Sequence, residues 1–398
     1  MKIFVIDDEP FALRLVSRQL QTLGFSEVTT HEHAMAAVRA LEADVHAAEL
    51  ILLDLQMPEM DGIEFVRHLA RLKYSGGLIL VSGEDDRILQ TASTLAKAHA
   101  LDVRGAMNKP VAPDRLRALV EAPAPAPKAP PRAPRKTYGP QEIARAIDGG
   151  ELVNHYQPKV ELATGKVVGV ETLVRWQHPQ DGLVYPDQFI GVAEEHRLID
   201  ALTRVVLLAA LRQARAWLDE GSAIVVAVNV SMDNLAALDF PDFVEGALRD
   251  AGVSNRQLVL EVTETRLMTN VVMALDILTR LRLKHIGLSI DDFGTGHSSL
   301  AQLRNIPFDE LKIDRGFVHG ADRDASARAI VEASLGMARQ LGLTTVAEGV
   351  EVFTDWQQMR AAGCDIAQGY FIARPMPAET FNTWHAGWTQ HLGALIPQ

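Results

Sequence analysis

A proline-rich segment at residues 121–136 constrains the fold of this chain more than any other feature. It contains six prolines, interspersed with alanine and with four basic side chains. A segment of this composition cannot form a packed core and favours extended polyproline II backbone. We therefore predict two domains and a semi-rigid spacer, with one domain at residues 1–120, a linker at 121–137 and a second domain at 138–398.

The first domain alternates short apolar strands with segments of helical period. Its candidate strands are residues 2–6, 51–53, 78–81 and 101–107. Residues 11–23 carry apolar side chains at helical spacing, and Gly24 follows where a helix end favours a left-handed residue. Such alternation over about 120 residues predicts a doubly wound, flavodoxin-like parallel α/β sheet.

The second domain continues the alternation over a longer span. Its candidate strands are residues 152–156, 167–173, 224–230, 258–262, 286–290, 311–313, 344–347 and 366–368. Helical segments separate most of them. Eight strands in about 260 residues match a closed TIM-type (β/α)8 barrel, although strand counting alone also allows an open sheet.

Charge and composition narrow the functional classes. The net charge is -12 and both predicted domains are acidic, so neither offers the basic surface that DNA binding requires. The single cysteine, Cys364, fits a reducing compartment. The apolar run at residues 205–211 is too short to span a membrane, and the early acidic pair Asp7 and Asp8 argues against a signal peptide. We expect a cytoplasmic protein that binds neither DNA nor membranes.

Five polar residues end or follow successive strands of the first domain, where doubly wound sheets bind their ligands. They are Asp7, Asp8, Asp54, Ser82 and Lys109. Three carboxylates at one sheet edge repel one another unless a hard cation lies between them, and Mg²⁺ favours oxygen ligands. A carboxylate beside Mg²⁺ can attack phosphorus, while a lysine and a hydroxyl neutralise the phosphoryl oxygens.

These residues closely resemble the receiver domain of bacterial response regulators. The resemblance implies that Asp54 is the phosphoacceptor and that Asp7 and Asp8 bind one Mg²⁺ beside it. It implies that Ser82 and Lys109 contact the phosphoryl group. The expected phosphodonor is a sensor histidine kinase or a phosphotransfer protein.

Two further positions bear on the receiver resemblance. The bond before Pro110 is expected to be cis. Receivers carry Tyr or Phe three residues before the lysine, and this chain has Ala106 there. The usual relay to the output surface therefore lacks its aromatic part.

The second domain also carries polar residues at the ends of its predicted strands. They are Glu171, Asn229, Glu261, Asp291, Asp292, Lys312, Asp314, Glu348 and Gln368. In barrels, the carboxyl ends of different strands together build the active site. Carboxylate and amide oxygens suit Mg²⁺ or Mn²⁺, and adjacent aspartates can serve two ions. Two such ions polarise phosphate and activate water, which is the chemistry of phosphodiester hydrolysis.

The residue strings of this domain resemble the EAL family of cyclic di-GMP phosphodiesterases, in the same order along the chain. They are Tyr-Gln-Pro-Lys at 156–159, Glu-Thr-Leu-Val-Arg-Trp at 171–176, Asn-Val-Ser at 229–231, Glu-Val-Thr-Glu at 261–264, Asp-Asp-Phe-Gly-Thr-Gly at 291–296, Leu-Lys-Ile-Asp at 311–314, Ala-Glu-Gly-Val-Glu at 347–351 and Gln-Gly-Tyr at 368–370. The two-domain arrangement is similar to response regulators that join a receiver to an EAL domain. The resemblance implies hydrolysis of cyclic di-GMP to linear pGpG, modulated by receiver phosphorylation, and a homodimer or higher homo-oligomer.

The resemblance implies a role for each residue of the predicted site, which holds two Mg²⁺ or Mn²⁺ ions. The ligands of the first ion are Glu171, Asn229, Glu261 and Asp291, and those of the second are Asp291, Asp292 and Glu348. Glu348 is also the candidate general base, Lys312 holds the attacking water or neutralises phosphate, and Glu264 braces the loop after Asp291. The substrate contacts are Gln157, Arg175, Asp314, Gln368, Arg374 and Pro375.

Two alternative functions remain open at this point. One is a receptor that binds cyclic di-GMP without hydrolysing it. It is suggested by Ala106 and by His297, which stands where the glycine-containing loop at residues 292–298 usually has Tyr in the family. A DNA-binding response regulator is disfavoured because the acidic second domain offers no basic output face.

Overall fold

The computed structural model describes residues 1–83, 86–121, 136–263, 271–294 and 306–395. The chain separates into two compact units, residues 1–134 and 135–398. Most of the predicted linker, residues 122–135, lies outside the described residues.

The first unit is a five-stranded parallel sheet with strand order β2-β1-β3-β4-β5. Its strands are β1 (Ile3–Ile6), β2 (Val28–His31), β3 (Leu50–Asp54), β4 (Gly77–Ser82) and β5 (Asp102–Asn108). Its helices are α1 (Pro10–Thr22), α2 (Ala34–Ala43), α3 (Gly62–Arg71), α4 (Asp86–Ala98) and α5 (Pro113–Glu121). Separate apolar clusters cover the two faces of the sheet. The predicted doubly wound, flavodoxin-like fold is confirmed.

Strand β2 is absent from the predicted strands of this unit. Its sequence, Val-Thr-Thr-His, has one apolar residue, and it pairs only with β1 at the edge of the sheet. An edge strand needs less burial than a central one, so its hydrophobic signal is weak.

Gly24 takes the left-handed conformation expected after α1, with φ of +91°.

The second unit contains a closed ring of eight strands, which confirms the barrel and excludes the open sheet. The ring runs β6 (Leu152–Glu161), β7 (Val167–His178), β9 (Val225–Asn229), β10 (Leu258–Thr263), β11 (Gly287–Phe293), β12 (Glu310–Ile313), β13 (Thr344–Ala347) and β14 (Ile366–Ala367), and then returns to β6. Two short strands, β8 (Gly182–Val184) and β15 (Met376–Pro377), extend it.

One strand departs from the parallel pattern of a (β/α)8 barrel. Strand β6 pairs antiparallel with both of its neighbours in the ring, β7 and β14. A short turn at residues 162–166 joins β6 to β7, with no room for a crossover helix. Antiparallel neighbours can be joined this way, whereas parallel ones need a longer connection. The other seven strands run parallel.

Helices surround this barrel in the described part of the chain. They are α6 (Pro140–Asp148), α7 (Ile190–Glu195), α8 (Ile199–Asp219), α9 (Met232–Ala236), α10 (Phe240–Ala251), α11 (Val271–Leu283), α12 (Arg315–Val318), α13 (Ala325–Leu341), α14 (Phe353–Ala362) and α15 (Ala378–Leu395). Helix α8 illustrates the packing, since Leu202, Val206 and Ala210 recur at four-residue intervals and are all buried. This spacing places them on one helix face, against the apolar core of the barrel. Among the described residues, no helix combines the length and apolar character that a membrane crossing requires.

Candidate active site

The first unit gathers its predicted polar residues at the carboxyl edge of the sheet. Asp54 ends β3 and is 2% exposed, and Asp7 directly follows β1. The ammonium group of Lys109 lies 2.8 Å from Asp7 Oδ2 and 2.9 Å from Asp54 Oδ2. Ser82 ends β4 and is buried, and the bond between Lys109 and Pro110 is cis, as expected.

The acidic residues of this edge fit a divalent cation. Carboxylate oxygens of Asp7, Asp8 and Asp54 lie within 4.8 Å of one another. Asp54 Oδ1 is buried without a hydrogen-bond partner in the described structure, so a cation could satisfy it. Burial raises the pKa of Asp54, although the ammonium group of Lys109 opposes this. The pKa of Lys109 is raised, because its bonds to the two aspartates outweigh the effect of burial.

Ala106 occupies the position where the receiver pattern has an aromatic residue. It is half-buried on β5, in register with Leu80, and its carbonyl oxygen accepts a hydrogen bond of 3.0 Å from Arg115. A methyl group cannot swing between buried and exposed positions as an aromatic ring can. Any relay from Asp54 to the surface must therefore use other groups.

The barrel brings its predicted residues together at the carboxyl ends of the strands. The site residues lie on β7 (Glu171), β9 (Asn229), β10 (Glu261), β11 (Asp291 and Asp292), β12 (Lys312), just after β13 (Glu348) and just after β14 (Gln368). These residues come from seven of the eight ring strands, and Gln157 on the remaining strand, β6, lines the same mouth of the barrel. This convergence is what sequence analysis predicted from the positions of the strand ends.

Lys312 lies at the centre of this cluster and is fully buried. Its ammonium group is 2.7 Å from Glu348 Oε1 and 3.0 Å from both Glu261 Oε2 and Asp291 Oδ1. Glu171 Oε2 is 3.7 Å away. Each of these carboxylates is predicted to bind metal, and all four have an oxygen within 3.7 Å of this one ammonium group.

Burial and charge act differently on the carboxylates around Lys312. Burial raises the pKa of Glu348 to about 8, against the opposing effect of Lys312. Burial also raises the pKa of Glu171. The pKa of Glu261 falls to about 2 despite its burial, because both Lys159 and Lys312 bind its carboxylate. The pKa of Lys312 lies well above its usual range, since the attraction of four carboxylates exceeds the cost of burial.

The donor set of the barrel mouth fits divalent ions that prefer oxygen. Asp291, Asp292 and Glu348 each offer a carboxylate oxygen, and these atoms lie within 4.8 Å of one another. Asp292 has a left-handed φ of +56°, which turns the chain sharply just after Asp291. Asn229 donates through its amide nitrogen to Glu171 Oε1 at 3.0 Å, so its carbonyl oxygen is the ligand atom it can offer.

A cavity of about 230 Å³ opens beside these groups. It is lined by Gln157, Glu171, Leu173, Asp291, Arg315, Glu348, Gly349, Glu351, Gln368, Gly369 and Tyr370. Gln368 donates to Glu171 Oε2 at 2.6 Å and to Gln157 Oε1 at 3.0 Å, which fixes both amides beside the acidic cluster. The amide groups of Gln157 and Gln368 could form hydrogen bonds with a base or a phosphate.

The remaining predicted substrate residues take different positions. Arg374 stacks on the ring of Tyr370, with 4.1 Å between the guanidinium carbon and the ring centroid, and so borders the cavity through that ring. Arg175 lies 5.1 Å from the ring centroid of Tyr185. Asp314 and Pro375 are not among the described residues that line the cavity. Asp314 instead caps α12, accepting a 2.8 Å hydrogen bond from the backbone of Gly316.

Sequence analysis missed six residues of the cavity and could not be checked at two other positions. The residues that line it without having been predicted as site residues are Leu173, Arg315, Gly349, Glu351, Gly369 and Tyr370. Arg315 directly follows the Lys-Ile-Asp string, so its position after a strand end was the available signal. Glu264 and His297 lie outside the described residues.

Fold and site together define a class of protein. One unit is a receiver-like sheet with an acidic triad and a lysine at its carboxyl edge. The other is an eight-stranded barrel with a cluster of carboxylates at its mouth whose oxygens fit a divalent ion. The class is a response regulator whose output domain is built for metal-dependent chemistry.

Comparison with known families gives the particular family. The sequence pattern of the EAL domain matches residues 141–375, and that of the response regulator receiver domain matches residues 3–121. The chain belongs to the EAL domain family and carries an N-terminal receiver domain.

Individual relatives agree with this assignment. The cyclic di-GMP phosphodiesterase RocR of Pseudomonas aeruginosa is 33% identical over 97% of this chain and 99% of its own length. The bifunctional diguanylate cyclase/cyclic di-GMP phosphodiesterase MucR of the same organism is 44% identical over 60% of this chain, which spans 35% of MucR. A solved structure described as the PaMucR phosphodiesterase in complex with c-di-GMP superimposes with a TM-score of 0.58, covering 60% of this chain and 98% of that one.

Proposed function

We propose that this protein hydrolyses cyclic di-GMP to linear 5'-pGpG by two-metal phosphodiester hydrolysis, and that phosphorylation of the receiver domain modulates the rate. The observation that carries the proposal is the complete carboxylate set around Lys312 at the mouth of the barrel. The relatives RocR and MucR, named as cyclic di-GMP phosphodiesterases, supply the substrate.

Two sets of residues would hold Mg²⁺ or Mn²⁺ in the barrel. The first comprises Glu171, Asn229, Glu261 and Asp291, and the second comprises Asp291, Asp292 and Glu348. Bound divalent ions supply charge that polarises a phosphodiester and lowers the pKa of water. One Mg²⁺ in the receiver would be held by Asp7, Asp8 and Asp54.

The residues of the chain perform the remaining tasks. Glu348 accepts a proton from the attacking water, since its carboxylate lies at the edge of the cavity and 2.7 Å from Lys312. Lys312 neutralises negative charge that develops on the phosphate. Gln157 and Gln368 position the dinucleotide by hydrogen bonds. Arg374, stacked on Tyr370, offers a planar guanidinium for a phosphate or a guanine edge.

Calorimetric titration combined with product chromatography tests this function. The purified protein with Mn²⁺ should bind cyclic di-GMP and release pGpG. Binding without product would instead identify a receptor that signals through contacts, and the absence of both would refute the proposal.

Modification of Asp54 is expected to change turnover through a rearrangement of domains or of an oligomer, because a proline-rich spacer transmits local shape poorly. The wild-type protein treated with acetyl phosphate should gain a phosphoryl group and change its turnover of cyclic di-GMP. The D54N variant should do neither. The exposed residue Asp114, substituted as D114N, is the matched control and should respond like the wild type. Equal turnover of wild-type protein with and without the phosphoryl group would contradict the expectation.

A further inference from the structure

Lys159 is a buried residue of the barrel to which the proposed reaction gives no task. It lies on β6 two residues after Gln157, so both side chains face the interior of the barrel. Only 4% of Lys159 is exposed. Its register partner on β7 is Gly169, which adds no side chain to the interior beside the lysine stem.

The side chain of Lys159 crosses the barrel. In the ring of eight strands, β6 stands opposite β11. The ammonium group of Lys159 lies 2.7 Å from Glu261 Oε1 on β10 and 2.9 Å from Glu310 Oε1 on β12. From β11 itself, Ser289 donates a 2.8 Å hydrogen bond to the same oxygen of Glu310. Lys159 thus links β6 directly to two strands of the far wall, β10 and β12, and Glu310 extends the link to β11.

This arrangement reaches the proposed metal site through Glu261. Glu261 is fully buried, and while Oε1 binds Lys159, Oε2 lies 3.0 Å from Lys312. An ionised carboxylate has about four lone-pair sites, so the contact with Lys159 leaves others for a cation. Because the ammonium group of Lys159 binds Oε1, the plane of the Glu261 carboxylate cannot rotate freely.

The amino ends of the barrel strands, at the opposite end from the proposed metal site, leave open space next to Lys159. A cavity of about 470 Å³ opens at the amino ends of the strands and is lined by Lys159 and Glu310. Side chains next to open space lose the packing contacts that would otherwise fix their rotamers. Lys159, Glu261 and Glu310 therefore form a polar layer between that cavity and the proposed metal site at the carboxyl ends of the strands.

We propose that Lys159 is a positioning residue, held in place by Glu310, that orients Glu261 for binding a divalent ion. The inference rests on the proposed function, in which Glu261 is a ligand of the first ion. Groups that bind the ligands of a metal, rather than the metal, commonly change metal affinity or activity by 10–100-fold when they are removed.

The K159M variant tests the proposal, because methionine is unbranched and of similar length but has no charge and no donor. We expect the dissociation constant of Mn²⁺, measured by calorimetric titration without substrate, to rise by about 10–100-fold, and the Mn²⁺ concentration that gives half-maximal turnover of cyclic di-GMP to rise with it. The substrate KM at saturating Mn²⁺ should stay near the wild-type value. The K159R variant, which keeps the charge and donors, should recover part of the metal affinity, and K166M, at an exposed lysine, should behave like the wild type.

A purely structural role would lower the active fraction, and with it kcat, without moving the Mn²⁺ dependence. An unchanged or tighter Mn²⁺ dependence in folded K159M would therefore overturn the proposal. If K159M does not fold by circular dichroism, K159Q replaces it under the same criteria. Wild-type protein is assayed in parallel, since its failure to cut cyclic di-GMP would refute the proposed function rather than the role of Lys159.

Discussion

Replacement of Glu348 by glutamine is expected to slow the turnover of cyclic di-GMP by about 10²–10⁴-fold, the usual contribution of a general base. Glu348 is 17% exposed at the edge of the cavity, so an attacking water can reach its carboxylate. Glutamine preserves size and one carbonyl oxygen, but it cannot accept the proton. The loss should therefore appear in kcat at saturating metal and substrate.

The matched control for this substitution is E332Q, on the exposed face of α13. It should leave turnover unchanged. Near-normal kcat in E348Q would remove Glu348 from the role of base. A loss that disappears as Mn²⁺ is increased would assign it to metal binding alone.

Replacement of Lys312 by methionine is expected to affect both stability and catalysis. Removing one partner of a buried ion pair costs about 3–5 kcal/mol, because it leaves uncompensated buried charge. Lys312 is fully buried and binds several carboxylates, so the free energy of unfolding of the barrel domain should fall by at least that amount without metal. Turnover should fall by about 10²–10³-fold, as when one group that stabilises transition-state charge is lost.

The two effects of K312M can be separated with Mn²⁺. A divalent ion compensates the same carboxylates, so Mn²⁺ should stabilise K312M against urea more than it stabilises the wild type. Turnover at saturating Mn²⁺ should nevertheless stay low. K166M serves again as the exposed control. Equal stabilisation of wild type and K312M by Mn²⁺ would show that Lys312 and the ion do not share these ligands.

The sequence was informative about strands and the residues at their ends, because both signals are local. All eight barrel strands were predicted, and residues such as Glu171, Asp291 and Lys312 were expected at one mouth of the barrel. Parallel strands bring their carboxyl ends to one edge, so their order along the chain is enough to predict this convergence. In the receiver, the same reasoning placed Lys109 beside Asp7 and Asp54.

Strand direction and contacts across the barrel were not predictable in this way. An antiparallel β6 has the same apolar pattern as a parallel one, since side-chain alternation carries no information on direction. The partners of Lys159 are 102 and 151 residues away in the sequence, on the far wall of the barrel. In the sequence alone, Lys159 is only the last residue of the Tyr-Gln-Pro-Lys string, and nothing indicates its partners across the barrel.

The most direct test of the central claim is hydrolysis in water enriched with oxygen-18. Wild-type protein is incubated with cyclic di-GMP and Mn²⁺, and the mass of the product is measured by mass spectrometry. The account predicts 5'-pGpG that carries one heavy oxygen on its terminal phosphate, and no product when the metal is chelated. Intact cyclic di-GMP in the presence of Mg²⁺ or Mn²⁺, with and without receiver phosphorylation, would contradict it.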